Sequence, residues 1–303
     1  MYYRHSGRFS LGGVLHGLII GCASALAVGY AYGRGLTYIP EAHIAVLSTI
    51  AFGGLVGAAT GFGLKRGDVR NKRVTLVVTA LSSLLALYMS WAVWIDFVFR
   101  RTGNHRFHWS AVAQRPAALL YLMVWLNHYG TWAFDNSMTA TKGWVLSVVW
   151  IGEALIVIGC AVVAAVAVGL QKPFCEACSR WCRRAVRLVL NAAPDSEELK
   201  HRIENKDLSS LEGLGLAPKA SDHLIVTLHS CNHCCEFHTL SLTQVLVHRK
   251  KFGQAPIRMS TIVQHLVVDP GQAQALHRLR EKLTQTAKLA PALTQGAAAG
   301  GQR

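Results

Sequence analysis

Six cysteines fall in two short groups whose spacing suits soft-metal chemistry. The first group is PFCEACSRWC, with Cys175, Cys178 and Cys182, and the second is LHSCNHCCEFH, with Cys231, His233, Cys234, Cys235 and His238. In a C-x-x-C turn the two intervening residues aim both sulfurs at one point. Two such turns, here separated by 52 residues, complete a tetrahedral set. The expected ligands are Cys175, Cys178, Cys231 and Cys234, with Cys182, Cys235 and His238 as alternates, and the expected ion is a structural zinc. Catalytic zinc would need an open position and a general base. Glu176 and Glu236 are near, but they are typical of solvated turns. A redox role for one C-x-x-C pair would need a βαβ setting that the flanking residues do not supply.

The elements around the turns support a metal knuckle. DHLIVTLHS alternates Leu224, Val226 and Leu228, and FHTLSLTQVLVHR is rich in Leu, Val and Thr. These read as a β-hairpin with the second cysteine turn at its tip, and RMSTIVQHLVV (258–268) reads as a third strand. Between the turns, Asp195 or Ser196 caps a helix and Asp207 caps a shorter one. Asp269 and Pro270 open a last helix with Leu276, Leu279 and Leu283 on one face. From Pro291 the Ala-, Gly- and Gln-rich tail is expected to be disordered.

Two cysteine turns, one of them at a hairpin tip, resemble the zinc-ribbon class over about 60 residues. The resemblance implies a small α+β domain, here residues 171–290, organised by its metal. This chain departs from the pattern in two ways: the gap is long, and no glycine follows either turn.

The first 170 residues are of another kind. The chain of 303 residues is 51% hydrophobic and 16% charged, with a formal charge of +15. Four stretches are long and apolar enough to cross about 30 Å of hydrocarbon as helices: about 11–33, 43–64, 74–99 and 143–170. The fold class is therefore a membrane α-helical region of four transmembrane helices followed by the zinc-ribbon-like domain. The first run lacks a clear cleavage site and reads as a retained anchor rather than a signal peptide. A fifth stretch, 116–134, is apolar only over Ala117–Leu126 and reads as an interfacial or re-entrant helix. If it crossed, the N-terminus would lie outside.

The loop Lys65–Arg73 carries five cations, and Lys172, Arg180, Arg183, Arg184 and Arg187 follow the fourth stretch. The cation rule then puts both termini in the cytoplasm, with a bacterial inner membrane as the expected location. The loop 100–142, which would lie outside, also carries five cations and runs against this orientation.

Glycines recur every fourth residue. The first stretch has Gly13, Gly17, Gly21, Gly29 and Gly33, with Ala25 in step, and the second has Gly53, Gly57 and Gly61. Such stripes let backbones approach closely in lipid, and an antiparallel hairpin of the first two helices is the expected arrangement. A homo-oligomeric seam or a pore lining is the rival.

Two acids lie at or near membrane depth, Glu153 and Asp96. Glu153 reads as a structural hydrogen-bond acceptor, for instance from Trp94 or Ser90, or alternatively as a proton or cation site. Asp96 is expected to pair with Arg100 one turn on.

No Ser-His-Asp cue, phosphate-binding Gly loop or carboxylate pair appears. The basic excess of the soluble part is scattered and lacks interleaved aromatics, which argues against a nucleic-acid partner. The expected role is non-enzymatic: a bilayer-anchored module that presents a zinc-stabilised surface to a protein partner. The alternatives are a small transporter or channel using Glu153, and a metal or redox sensor in which Cys182, Cys235 and His223, His229, His233 and His238 tune the site.

Overall fold

The computed structural model describes residues 1–39, 42–101, 108–131, 141–217, 222–247 and 257–299. It divides into two compact units, Ser6–Gln171 and Lys172–Arg303 together with Met1–His5.

The first unit is helical. Four helices are long and apolar enough to cross a membrane: α1 (Leu11–Gly35), α2 (Ala42–Arg66), α3 (Lys72–Arg101) and α6 (Trp144–Gly169). Between the last two lie short α4 (Trp109–Ala113) and α5 (Pro116–Tyr129). Ser10 caps α1 through its Oγ, which accepts from Gly13 N at 3.0 Å. Asn71 Oδ1 accepts from Val74 N at 3.2 Å at the start of α3. Large apolar side chains such as Leu15, Ile19, Leu47, Leu55, Leu155 and Val163 are exposed, the inverse of a soluble protein and as lipid contact requires.

The glycine stripes meet the expected partners only in part. A methyl group at Gly53, Gly57 or Gly61 would overlap the carbonyl oxygen of Val157, Ala161 or Ala165, so the α2 stripe is pressed on α6. The α1 stripe begins against α2 and the turn after it, with Gly13 on Gly67 and Gly17 on Leu64. Gly21 then lies against Ser82 and Thr60, and Gly29 and Gly33 pack on the α3 backbone at Ala86 and Ser90. An α1–α2 hairpin exists, but the two stripes do not face each other. The α2 stripe is spent on α6, and the α1 stripe is divided between α2 and α3, because three neighbours compete for close approach.

At fourteen residues, α5 rises only about 21 Å, short of a crossing. Its Asn127 Nδ2 donates to Gly143 O and Ser147 Oγ, both at 3.0 Å, which ties its end to the start of α6. Trp132–Phe134 of the expected helix lie outside the described residues.

The second unit opens with a two-residue hairpin, β1 (Phe174–Cys175) and β2 (Arg180–Trp181). A four-stranded antiparallel sheet follows, in the order β3 (Arg183–Asn191), β4 (His223–Ser230), β5 (His238–Val247), β6 (Ile257–Val268). The expected hairpin and third strand are β4, β5 and β6. Strand β3 was not expected: it lies among the cations Arg183, Arg184 and Arg187, and its alternating Val186, Leu188 and Leu190 are buried. Helices α7 (Ser196–Glu204), α8 (Ser209–Glu212) and α9 (Pro270–Ala299) complete the unit. Asp195 caps α7 by accepting from Glu197 N and Glu198 N. One sheet face is covered: Leu188, Leu224, Val226, Leu228, Leu240 and Leu242 form its core with Leu199, Ile203, Leu276 and Leu279. Helix α9 runs on through 291–299, part of the stretch read as tail, where Ala, Leu and Gln are good helix formers.

The N-terminus joins this sheet. Tyr2 bridges Leu266, Tyr3 N donates to His265 O at 2.8 Å, and Val267 N donates to Met1 O at 2.9 Å. At the other edge, Asn191 N donates to Gly215 O at 2.9 Å and Ala217 N to Val189 O at 3.1 Å. Both edges are thereby blunted against pairing with another chain.

Candidate metal centre

The first cysteine turn spans β1 to β2, and the second joins β4 to β5. Each turn ends in the left-handed region: Ser179 has φ 49° and Cys235 has φ 54°. Glycine adopts that conformation most easily. The missing glycine is therefore a matter of residue type, and both turns take the backbone path without it.

The Sγ atoms of Cys175, Cys178, Cys231 and Cys234 all lie within 4.8 Å of one another, and no disulfide joins them. Cys175 and Cys234 stand 3.8 Å apart. A disulfide needs about 2.05 Å. Four sulfurs placed tetrahedrally about 2.3 Å from an ion have edges of about 3.8 Å, so the quartet has the dimensions of a metal cage. Cys175 and Cys231 are buried and the other two half-buried, which leaves the cage closed by protein on one side.

The electrostatics also favour a cation. Burial raises the Cys175 thiol. Desolvation, with the thiols of Cys234, Cys231 and Cys175, pushes Cys178 up to about 12. Cys234 goes the other way, to about 6, because the backbone N–H groups of Glu236 and Phe237 donate to its sulfur. Four thiolates cannot share so small a volume uncompensated. A soft dication would displace the thiol protons and offset half of the four thiolate charges.

The alternates occupy distinct places. Cys182 is buried beside the quartet, and burial followed by the neighbouring sulfurs pushes its thiol up to about 12. Cys235 is exposed. His238 has both ring nitrogens engaged, Nδ1 with Ser230 Oγ at 2.8 Å and Nε2 with the Cys235 carbonyl at 2.9 Å. It therefore braces the second turn from outside the quartet. Cys231 N donates to Phe237 O at 3.0 Å, and Cys182 N to Pro173 O at 2.9 Å, which hold the two turns closed.

The N-terminal segment reaches both turns, a feature with no local signal in the sequence. Tyr3 OH accepts from Phe174 N at 3.1 Å, and its ring lies 5.6 Å from that of Phe237, edge on. The His5 ring lies 6.0 Å from Trp181.

In the helical unit, Glu153 meets neither Trp94 nor Ser90. Its Oε1 accepts from Tyr32 OH at 2.8 Å, and Tyr32 OH also lies 2.7 Å from Thr49 Oγ1. Ser90 instead donates to its own helix, at Leu87 O, and Trp94 packs with the aromatic cluster around α4 and α5. Asp96 is 2% exposed and pairs with Arg100 Nε at 2.8 Å. Cys22 and Cys160 are half-buried within α1 and α6.

No family model, curated protein or solved structure matches this chain.

Proposed function

We propose that this is a non-enzymatic membrane protein whose four-helix region anchors a zinc-stabilised, zinc-ribbon-like domain, residues 171–290, at the cytoplasmic bilayer surface, where it binds a partner protein. The observation that carries this reading is the quartet of Cys175, Cys178, Cys231 and Cys234, whose 3.8 Å sulfur edge fits a Zn–S₄ site. All four donors are thiolates, which leaves no position for water or substrate, so the site is structural. A cage of this kind locks two loops of a small domain whose apolar core is modest.

Pairing of Met1–Tyr3 with β6 supports the orientation. Two segments of one sheet share one aqueous side, which requires an even number of crossings, and four candidate spans meet that condition. The cation-rich Lys65–Arg73 loop favours the cytoplasm for that side.

The test is the metal content of the full-length protein purified in detergent. Stoichiometric zinc is expected in the wild type and little in Cys175→Ser or Cys231→Ser. Proximity labelling in cells should then give a partner set that the Cys231→Ser protein, inserted at equal level, loses. A wild-type protein without bound metal, or identical partner sets for both proteins, would end this reading.

A further inference from the structure

The sheet of the second unit is two-faced in charge. None of the strands β3–β6 contains an Asp or Glu; every acid of residues 171–303 sits in a turn, loop or helix. The face under α7 and α9 is apolar and buried. The other face carries arginines, histidines and hydroxyls toward the cysteine turns, where Thr239 is buried, and Val189, Ile225 and Val245 toward the opposite end. Register pairs Arg184 with His229 and Arg187 with Thr227, so both guanidinium groups stand on that open face beside a central strand. Both arginines are exposed, and neither they nor Lys172 has an ion-pair partner among the described residues. The His229 ring lies 5.7 Å from that of His265, and its Nδ1 is buried without a hydrogen-bond partner. His265 itself sits in a bulge at φ 54°, with its N–H donating to Ser241 Oγ at 3.0 Å.

An acid-free face whose edge exposes two guanidinium groups without ion-pair partners among the described residues is complementary to an anion. Its surroundings in the chain identify which one. Lys172 is the third residue after the end of α6, and Arg180, Arg183, Arg184 and Arg187 follow. Such a run directly after a membrane span keeps its cations within reach of headgroups, since each residue extends at most about 3.5 Å.

We propose that the open face of the β3–β6 sheet docks on anionic phospholipid headgroups, with Arg184 and Arg187 gripping phosphate oxygens and His229 and His265 lining the contact. This rests on the reading above that the domain is held at the bilayer surface. The planar, always-charged guanidinium binds two phosphate oxygens at once, and in a zwitterionic headgroup the neighbouring choline cation offsets that attraction whereas in an anionic one nothing does.

The test uses full-length, metal-loaded protein in a mild detergent, titrated with short-chain phosphatidylglycerol or phosphatidylcholine. Phosphatidylglycerol should bind more tightly. Arg184→Gln should weaken it about fivefold and the Arg184→Gln/Arg187→Gln pair about thirtyfold, from about 1 kcal/mol per cation. Arg278→Gln/Arg280→Gln on α9 should change nothing. Millimolar inorganic phosphate should not compete; full competition would reassign the face to free phosphate and overturn the proposal. Equal affinity for the two lipids, or wild-type affinity in the double variant, would also overturn it. If the double variant misfolds, Thr243→Glu adds a negative charge to the same face, and an unchanged affinity there sinks the idea. Metal content of the same samples separates the two readings. Loaded protein with unaltered lipid binding removes the docking face alone, whereas metal-free wild type removes the module.

Discussion

Tyr32 on α1 donates its hydroxyl to Glu153 on α6 at 2.8 Å, across 121 positions of sequence. The Tyr32 ring also stacks on Phe52 of α2, with ring centroids 4.2 Å apart. One side chain thus ties three membrane-length helices and satisfies an acid that lipid would penalise. Tyr32→Phe keeps the stack and removes the bond, so unfolding of the detergent-solubilised protein should show a loss of about 1 kcal/mol. Glu153→Gln keeps an acceptor and should lose less. Equal stability of wild type and Tyr32→Phe would reduce the contact to packing.

The glycines give a paired test. Gly57 has no room for a methyl group beside Ala161, whereas Gly54, three residues earlier, has nothing within 4 Å of the same position. Gly57→Ala should destabilise the helical unit by about 1–3 kcal/mol through overpacking. Gly54→Ala should be neutral or mildly stabilising. Thermal unfolding in detergent reads both, and identical shifts would contradict the α2–α6 packing.

Around the metal centre the prediction is a contrast between adjacent cysteines. Cys234→Ser removes a ligand and should empty the site. Cys235→Gly relieves a left-handed backbone that costs a side-chain-bearing residue about 1 kcal/mol, so it should keep the metal and raise stability slightly. Metal analysis and melting of both variants decide this; loss of metal from Cys235→Gly would move the ligand set.

His238 and Tyr3 should behave as bracing residues. His238→Ala loses bonds to Ser230 and Cys235 without touching the quartet, and its metal affinity should fall about 10–100-fold. Tyr3→Ala should speed metal loss to a chelator, because Tyr3 contacts both turns. A chelation rate unchanged in Tyr3→Ala would leave the N-terminal segment a bystander.

Acid should weaken the sheet domain partly through His229. Burial first, then His265, Lys172 and Arg184, hold its ring down to about 4. The unfolded value is about 6.5. Between these values the unfolded chain binds the extra proton, so stability is whole above about 6.5 and falls as the pH drops toward 4. His229→Asn should flatten the stability profile between those limits relative to wild type. Parallel profiles would show that His229 is not held neutral.

The amino-acid sequence alone determined what depends on local pattern. Hydrocarbon-length apolar runs set the four long helices, since their backbone bonds close within each segment. Cysteine spacing selected the quartet, and alternation in 223–247 and 258–268 marked three strands. Asp195 and Asp269 marked helix starts. Strand β3 carries the same alternation in Val186, Leu188 and Leu190, masked by the arginines interleaved with it, which also fit a cation cluster following a membrane span.

Tertiary structure decided what depends on partners distant in sequence. A glycine stripe says that something comes close, yet nothing in Gly53, Gly57 and Gly61 distinguishes α1 from α6 as the neighbour. Glu153 needs a donor, and only the helix arrangement selects Tyr32 over Ser90. Met1–Tyr3 carries too few residues for any periodic signal, so its place beside β6 comes from free backbone groups at that edge. Local pattern reflects energies that each segment satisfies by itself, whereas these choices depend on which surfaces remain once all segments compete for contact.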